Sequence, residues 1–286
     1  MPTLEEVVHF LMTPSWAVVI LGALIVLGAP VLLHVILSRS VTYIVPPVVL
    51  LLGPSGSGKT SLQTLFERGG TSTPPATRTS QSSQSVELNA STDAAKKNTY
   101  RNHDESDGTY TKFLLVDTPG HGKLRGTALG KLRRADKLRA VLFVVDAAAL
   151  GEPEALAPTA QYLYDVLLLL QKRATRSKDP RSVPVLVVAN KMDLFTALPA
   201  AMVRSVLEAE LARIRTSRSK GLLDSGVGAD ELGAEEQDGW LGEYGSDKFT
   251  FAQMQEFDIE VEVLPGSVTS VEPDADKWWW WIAQRV

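Results

Sequence analysis

The sequence predicts an α/β fold in which one transmembrane helix precedes a doubly wound, mostly parallel six-stranded sheet. Three observations lead to this prediction. From about residue 47 onward, short continuous Val/Leu/Ile runs alternate with longer helical patterns, and such runs are typical of strands buried on both faces. A glycine-rich loop separates the first of these runs from the first helical pattern. Near the N-terminus, 22 consecutive residues carry no formal charge.

The uncharged run extends from Trp16 to Leu37. At ~1.5 Å per residue, a helix of this length crosses the ~30 Å hydrocarbon core of a bilayer. A signal peptide or a buried core helix is the alternative, but signal peptides start with basic residues, whereas Glu5 and Glu6 precede this run. Arg39 follows the run and no Lys or Arg precedes it. The positive-inside tendency therefore places the C-terminal side in the cytosol.

The span divides the chain into four parts. We expect a short lumenal N-terminus at 1–15, a transmembrane helix at 16–37, a tether at 38–46 and a folded domain at 47–286. Within the domain, two polar segments rich in loop-forming residues predict mobile insertions, namely 69–109 and 216–248.

The apolar runs and helical patterns of the domain predict its elements in order. The predicted strands are Val48–Leu52, a weaker Val86–Leu88, Tyr110–Val116, Ala140–Val145, Val183–Ala189 and Asp258–Leu264. The predicted helices are Lys59–Arg68, Leu124–Arg134, Ala155–Lys172, Ala200–Arg215 and Ala275–Gln284.

Composition excludes several classes of function. The chain has 286 residues, a net charge of −4 and no cysteine. Disulfides, thiolate metal sites and a cysteine nucleophile are therefore excluded. Because there is no overall basic excess, we expect no direct binding of nucleic acid.

The glycine-rich loop reads GPSGSGKT, from Gly53 to Thr60. It matches a phosphate-binding loop in the context that this motif requires, after a predicted strand and before a predicted helix. Backbone N–H groups of the loop would surround phosphate oxygens, Lys59 would reach the β- and γ-phosphates, and the Thr60 hydroxyl would ligate Mg²⁺. The predicted nucleotide-binding residues of this loop are Gly53, Ser55, Gly56, Ser57, Gly58, Lys59, Thr60 and Ser61.

A second motif, DTPGH, follows a predicted strand. Asp117 at the end of that strand would hold Mg²⁺, and the Gly120 N–H would contact the γ-phosphate. A simple turn is the alternative, because these residues are turn formers.

The NKMD motif, from Asn190 to Asp193, indicates which base is bound. The Asp193 carboxylate can accept two hydrogen bonds from guanine that adenine does not offer. Asn190 would support the loop, and the stem of Lys191 would pack along the purine. After the last predicted strand, the backbone N–H groups of Ser267 and Val268 would lie near the guanine.

These motifs together resemble the Ras-like GTPase superfamily, the P-loop small GTPase fold, over residues 46–286. The uncharged span, DTPGH, the run RAVLFVVDAA, the stretch TPPATRTSQSS and the C-terminal KWWWWIAQ are similar to the β subunits of the signal recognition particle receptor. That resemblance implies GTP and Mg²⁺ as cofactors and a location in the endoplasmic reticulum membrane. It also implies a heterodimer with the receptor α subunit, with the ribosome or the translocon as further partners.

Two departures from the superfamily pattern affect the expected chemistry. The switch residue that ligates Mg²⁺ is hard to place, and we favour Thr79 over the alternatives Thr77 and Ser80. His121 occupies the position of a common catalytic glutamine, so it either orients water or packs as a switch residue. With Lys59 it is the predicted catalytic pair, and slow hydrolysis is expected, also because Ser55 adds bulk near the γ-phosphate.

Two alternatives to a GTP-controlled receptor switch remain open at this stage. One is a receptor subunit that is constitutively loaded with GTP. The other is a vesicle-trafficking GTPase of the Arf or Sar type with cycling hydrolysis, which the spanning segment and Pro2 disfavour.

The four tryptophans from Trp278 to Trp281 allow two interpretations. Successive helical residues step by ~100°, so four indoles cannot share one face. Either the run packs in the core, or two of the rings are exposed to a membrane or a partner.

Overall fold

The computed structural model describes residues 16–40, 46–69, 74–91, 110–176, 182–224, 240–243, 246 and 248–286. The chain divides into two compact units, Met1–Val45 and Pro46–Val286. The first unit contains helix α1 (Trp16–Ser40), with Pro30 inside it. Its described apolar side chains are exposed. When only the described residues are counted, no helix is long and apolar enough to cross a membrane.

The second unit is built on one six-stranded sheet with the order β2-β3-β1-β4-β5-β6. Strands β1, β3, β4, β5 and β6 are parallel to one another, and β2 pairs antiparallel with β3. The fold class predicted for this unit is therefore confirmed. The strands are β1 (Val48–Leu52), β2 (Gln84–Ser91), β3 (Tyr110–Asp117), β4 (Leu138–Asp146), β5 (Val185–Asn190) and β6 (Val261–Pro265).

Five helices of this unit cover the two faces of the sheet, as a doubly wound topology requires. They are α2 (Lys59–Arg68), α3 (Arg125–Arg134), α4 (Pro153–Arg176), α5 (Ala200–Asp224) and α6 (Asp276–Ala283). Side chains of α3, α4 and α5 share one buried cluster with the sheet, and those of α2 and α6 share the other. Short 3₁₀ helices occupy Gly122–Leu124, Ala149–Gly151 and Phe251–Phe257.

Several elements differ from their predicted bounds by a few residues, and for two of them the physical reason is clear. Helix α5 continues past the predicted end at Arg215, because that arginine is buried and Arg218 forms an ion pair with Asp165 of α4 at 2.6 Å. Strand β6 starts at Val261 rather than Asp258. Asp258 has a left-handed backbone (φ 56°) that ends the preceding 3₁₀ helix, so an extended strand cannot include it.

The predicted insertions coincide only partly with described residues. Within 69–109, residues 84–91 form β2, which pairs with β3 over its full length. Within 216–248, residues up to Asp224 continue α5. Residues 70–73, 92–109, 225–239, 244–245 and 247 lie outside the described part of the chain, so the mobility of the insertions remains a prediction.

The tryptophan run belongs mainly to the core. Trp278, Trp279 and Trp281 are buried, and Trp280 is half-buried. Trp279 packs against Phe66 of α2 at 5.1 Å between ring centroids. The interpretation with two exposed rings was therefore wrong, because α6 packs against both the sheet and α2 and three of its four rings are buried there.

Candidate nucleotide-binding site

A cavity of about 260 Å³ opens at the carboxyl edge of the sheet, where β1, β3 and β5 end. Ligand sites of open parallel sheets lie at this edge. The cavity brings residues from all three sequence motifs together with the segment before β2. It is lined by Ser55, Gly56, Gly58, Lys59, Thr60, Ser61, Thr77, Arg78, Thr79, Ser80, Gly120, Asn190, Lys191 and Thr269.

At two positions the backbone of the phosphate loop has a positive φ and lies so close to another segment that only glycine fits. Gly53 has φ 137°, and a Cβ there would overlap the carbonyl oxygen of Val144 in β4. Gly58 has φ 99°, and a Cβ there would overlap the side-chain amide of Asn190. Positive φ costs little for glycine alone. The spacing of glycines in the motif is therefore set by contacts with β4 and with the NKMD loop.

Lys59 lies at the floor of the cavity and is almost completely buried. Its Nζ donates to the Pro54 carbonyl at 2.7 Å, closing the loop across its base. Burial lowers the pKa of Lys59 to about 8, although the nearby Asp117 charge opposes that effect. The Lys59 ammonium has lost its hydrating water in this position without gaining a full opposite charge. Binding of an anionic ligand beside it is therefore favoured.

Oxygen atoms meet beside the lysine at the start of α2. The Thr60 hydroxyl donates to Asp117 Oδ2 at 2.6 Å and lies 2.8 Å from the Ser80 hydroxyl. Asp117 Oδ1 is buried and has no hydrogen-bond partner among the described residues. Burial also raises the pKa of Asp117, with the Thr60 hydrogen bond and the Lys59 charge acting against it.

This oxygen cluster fits a magnesium ion. Mg²⁺ is bound by one or two carboxylates together with substrate phosphates, and the cluster offers one carboxylate and two hydroxyls. An unsatisfied buried carboxylate oxygen is costly without such a partner. Among the described residues there is no group of three or more His, Cys, Asp or Glu that would hold a metal without a nucleotide.

The structure places the three candidate switch residues differently. The Ser80 hydroxyl contacts Thr60, and the Thr77 hydroxyl lies 3.1 Å from the Ser61 hydroxyl. Thr79 lines the cavity and is exposed. The assignment of Thr79 as the Mg²⁺ ligand stays a prediction, and the observed contacts favour Ser80.

Asn190 connects the base end of the cavity to its phosphate end. Its Nδ2 donates to the Ser57 carbonyl at 2.8 Å, and its Oδ1 accepts from the Val268 N–H at 3.2 Å. The side chain is buried, so both bonds are shielded from water. One amide therefore fixes the phosphate loop, the NKMD loop and the loop after β6 relative to one another.

Asp193 projects from the same loop and is exposed, with one oxygen already oriented. The Ser267 hydroxyl donates to Asp193 Oδ1 at 2.5 Å. Lys191 has a left-handed backbone (φ 67°), and its Nζ bonds the Asp146 carboxylate at the end of β4. The loop thus holds a carboxylate in a defined orientation, two residues after Lys191, which lines the cavity.

A sequence profile of the family described as signal recognition particle receptor beta subunit matches residues 45–257. The chain belongs to this family. It is 30% identical over 179 residues to the signal recognition particle receptor subunit beta of Saccharomyces cerevisiae, covering 62% of this chain and 61% of that protein. The chain thus spans less than two thirds of the length of that relative.

Two solved structures from Chaetomium thermophilum have the same fold. The SRb-GTP/SRX complex is 43% identical with a TM-score of 0.71, and the match covers 84% of this chain and 100% of that one. SRb-GDP-Mg is 44% identical with a TM-score of 0.62, covering 86% of this chain and 100% of that one.

Not every predicted site residue of this receptor β subunit family member lines the cavity; those that do not are Gly53, Ser57, Asp117, His121, Asp193, Ser267 and Val268. His121 is exposed and is not among the residues that line the cavity. Its Nδ1 accepts from the Lys123 N–H at 3.3 Å at the start of the 3₁₀ helix. The ring therefore caps that helix, and both roles considered for His121, orienting water or packing in the switch loop, stay predictions.

Sequence reasoning missed three supporting residues. Asp146 pairs with Lys191, and Thr269 lines the cavity. Trp278 packs against Gly266, where a Cβ would overlap its ring, and its Nε1 donates to the Leu264 carbonyl at 3.1 Å. A polar residue at the end of the buried strand β4 was a signal for Asp146, whereas the tryptophan contact depends on the path of α6.

Proposed function

We propose that the chain is a membrane-anchored GTP-binding switch that, in its GTP-bound form, recruits the signal recognition particle receptor α subunit to the endoplasmic reticulum membrane for cotranslational protein targeting. The observation that carries this proposal is the double hydrogen bond of Asn190, which joins the phosphate loop to both base loops. A general phosphate site has no need for that connection. A site that must hold a base and a triphosphate at a fixed separation does.

The residues of the cavity divide the nucleotide between them. Backbone N–H groups from Gly53 to Thr60 and the Lys59 ammonium would hold the phosphates, and Asp193 with the Ser267–Val268 loop would hold the guanine. Thr60, Asp117 and Ser80 would hold Mg²⁺, which neutralises phosphate charge when bound. Gly120 also lines the cavity and lies against Lys59, since a Cβ at this position would overlap Lys59 Nζ.

The switch would act through the segment that precedes β2. Thr77 and Ser80 of this segment contact the start of α2 through their hydroxyl groups. These few bonds hold the segment weakly, so a γ-phosphate and its metal would strengthen its attachment. A partner that contacts the attached segment would then distinguish GTP from GDP, in keeping with the GTP form of the Chaetomium relative in its SRX complex.

We expect hydrolysis to be slow and incidental to binding. Lys59 would stabilise charge on the γ-phosphate, whereas His121 does not line the cavity and caps its own 3₁₀ helix. Orientation of an attacking water by His121 would require this loop to bring the ring to the cavity. This chemistry suits a long-lived GTP state better than rapid cycling.

The proposed anchor is the segment 16–37, with residues 38–46 as the tether and the nucleotide-binding domain in the cytosol. Its support is the sequence, because 22 uncharged residues match the thickness of a bilayer core. The exposure of apolar side chains along α1, such as Leu24 and Leu27 at 66% and 71%, is also typical of a lipid-facing helix.

The test is the nucleotide carried by the full chain purified in detergent, together with capture of the α subunit. We expect guanine nucleotide, and α-subunit capture in GTP but not in GDP. Asp193→Asn should lower guanine nucleotide affinity by about 10²-fold or more. Asp136→Asn, the same change at an exposed site outside the cavity, should bind normally. Adenine nucleotide, or capture independent of nucleotide, would contradict the proposal.

A further inference from the structure

The amino edge of the sheet, opposite the nucleotide cavity, is where the chain enters the second unit. Pro46 leads directly into β1, the Val48 N–H donates to the Lys137 carbonyl at 2.9 Å, and the Leu114 N–H donates to the Pro47 carbonyl at 2.8 Å. The entry point therefore lies between the starts of β3 and β4. Helix α3 ends beside it, since only three residues separate Arg134 from β4.

Basic side chains from separate elements collect around this entry point. We call them the basic edge, and its members are Lys112, Lys131, Arg133, Arg134, Lys137 and Arg139. All six are exposed except Lys131, which is half-buried. Arg173 of α4 donates to the carbonyls of Leu132 and Ala135, at 3.1 and 2.6 Å, and so fixes the end of α4 against the same region.

The concentration of charge here contrasts with the chain as a whole. The net charge is −4, yet over residues 131–139 the only acidic residue is Asp136. Basic residues at a helix C-terminus are expected from the helix dipole, which accounts for Arg133 and Arg134. It does not account for Lys112 at the start of β3 or Arg139 at the start of β4, both of which face solvent at the same edge.

We propose that the basic edge binds the anionic phospholipid headgroups of the membrane in which the chain is anchored. This inference rests on the anchor proposed above. Fully extended, the tether 38–46 reaches at most ~30 Å, and it joins the domain at the basic edge. Lys and Arg clusters immediately cytoplasmic of a membrane span are attracted to anionic lipid at this range.

Lipid fits the surface better than nucleic acid does. Sequence-independent binding of single strands uses exposed aromatic rings between the basic groups. Among the described residues 110–112 and 128–139, which include all six members of the basic edge, the only aromatic residue is Tyr110, and it is half-buried. Binding to a layer of lipid headgroups requires only that exposed cations lie in one plane. The starts of the parallel strands and the end of α3 lie at the same edge of the sheet, so they place the cations in such a plane.

The consequence concerns orientation. Because the basic edge and the nucleotide cavity lie at opposite ends of the same strands, headgroup binding would turn the cavity away from the bilayer. The switch segment would then face the cytosol, where the α subunit approaches. A tether alone would leave the domain free to rotate.

The test uses the full chain in nanodiscs of phosphatidylcholine with or without phosphatidylserine. Because the chain has no cysteine, a fluorophore can be attached uniquely at Asp136→Cys, beside the basic edge, or at Val271→Cys, which is 95% exposed at the carboxyl edge. The readout is quenching by a nitroxide lipid at headgroup depth. We expect phosphatidylserine to raise quenching at position 136 at least about twofold, with the gain lost at high salt.

Charge reversal of Arg133→Glu with Arg134→Glu should abolish the gain, whereas Lys123→Glu with Lys277→Glu, a matched reversal at the carboxyl edge, should leave it. A gain at position 271 instead, or no response to phosphatidylserine, would overturn the proposal. So would a label at 136 that responds to ribosomal RNA and not to lipid. Failure of the chain to enter discs of either lipid would overturn the anchor itself, and with it this inference, while leaving guanine nucleotide binding intact.

Discussion

At the carboxyl edge of the sheet, polar side chains are largely buried and bonded to one another, whereas at the amino edge they are basic and face solvent. Lys59, Asp117 and Asn190 are each at most 5% exposed, and each is fixed by a neighbouring loop. Arg133, Arg134 and Arg139 are exposed. The difference indicates two kinds of recognition. Buried polar groups that are bonded to one another select one ligand by geometry, whereas an exposed charged surface binds many different ligands by electrostatics.

The largest effect on stability should come from a substitution at Gly53, in the phosphate loop at the carboxyl edge. We expect Gly53→Ala to lower the free energy of unfolding by about 3 kcal/mol, because the residue has φ 137° and a Cβ would overlap the Val144 carbonyl. Urea unfolding followed by tryptophan fluorescence would measure it.

Gly126→Ala is the control for that substitution. A Cβ at Gly126 meets no atom within 4 Å, and the residue lies in α3. It should be neutral or stabilise by about 0.5 kcal/mol. Equal effects at the two glycines would show that the close contact between the phosphate loop and β4 does not govern stability.

The oxygen cluster gives the next largest effect and separates the candidate switch residues. Ser80→Ala should weaken Mg²⁺-dependent GTP binding about tenfold, because it removes the hydroxyl beside Thr60. Thr79→Ala should change it by less than about threefold. Titration of GTP with and without Mg²⁺ would measure both, and the reverse ranking would restore Thr79 as the ligand.

The carboxyl edge was largely predictable from sequence because each loop follows a buried strand and carries its ligands within a few residues. The bounds of β1 and α2 and the grouping of Gly53–Thr60, Asp117 and Asn190 depended only on that local pattern. What local pattern could not give was any contact between distant segments. Ser80 and Thr79 are adjacent hydroxyl residues, and only the path of the segment before β2 determines which one meets Thr60.

The amino edge was not predictable in the same way. Lys112 and Arg139 lie on different strands, and only the sheet order brings them together. The overall charge of −4 indicated no basic surface at all, because an average hides a local cluster. The extension of α5 past Arg215 was missed for a similar reason, since its Arg-rich sequence is polar while its arginines pack against Asp165 and Trp240.

A smaller effect would test whether every arginine of the amino edge serves the same purpose. Arg173→Met should cost about 1 kcal/mol of unfolding free energy, because the guanidinium donates to two carbonyls at the end of α3. Arg133→Met should cost less than about 0.5 kcal/mol, as exposed substitutions do. If Arg133→Met proved the more costly, the exposed charges would be structural and the contrast between the edges would disappear.

The smallest effect is a pH dependence that arises from the burial of Lys59. Its pKa of about 8 lies within reach of ordinary buffers. Phosphate binds the charged form, so GTP affinity should fall about fourfold between about pH 7 and pH 8.5 as the free protein loses that proton. Lys59→Arg stays charged throughout, so its profile should be flat even if its affinity is lower at every pH.

The nucleotide-free protein should show the opposite slope. Because the unfolded chain keeps the Lys59 proton up to the ordinary pKa of 10.5 while the folded chain releases it near 8, the unfolded state binds more protons between these values. The free energy of unfolding contributed by this residue therefore rises with pH across that window. Stability that rises while affinity falls, with both slopes absent in Lys59→Arg, would identify the buried lysine. Parallel slopes would assign the titration to another group.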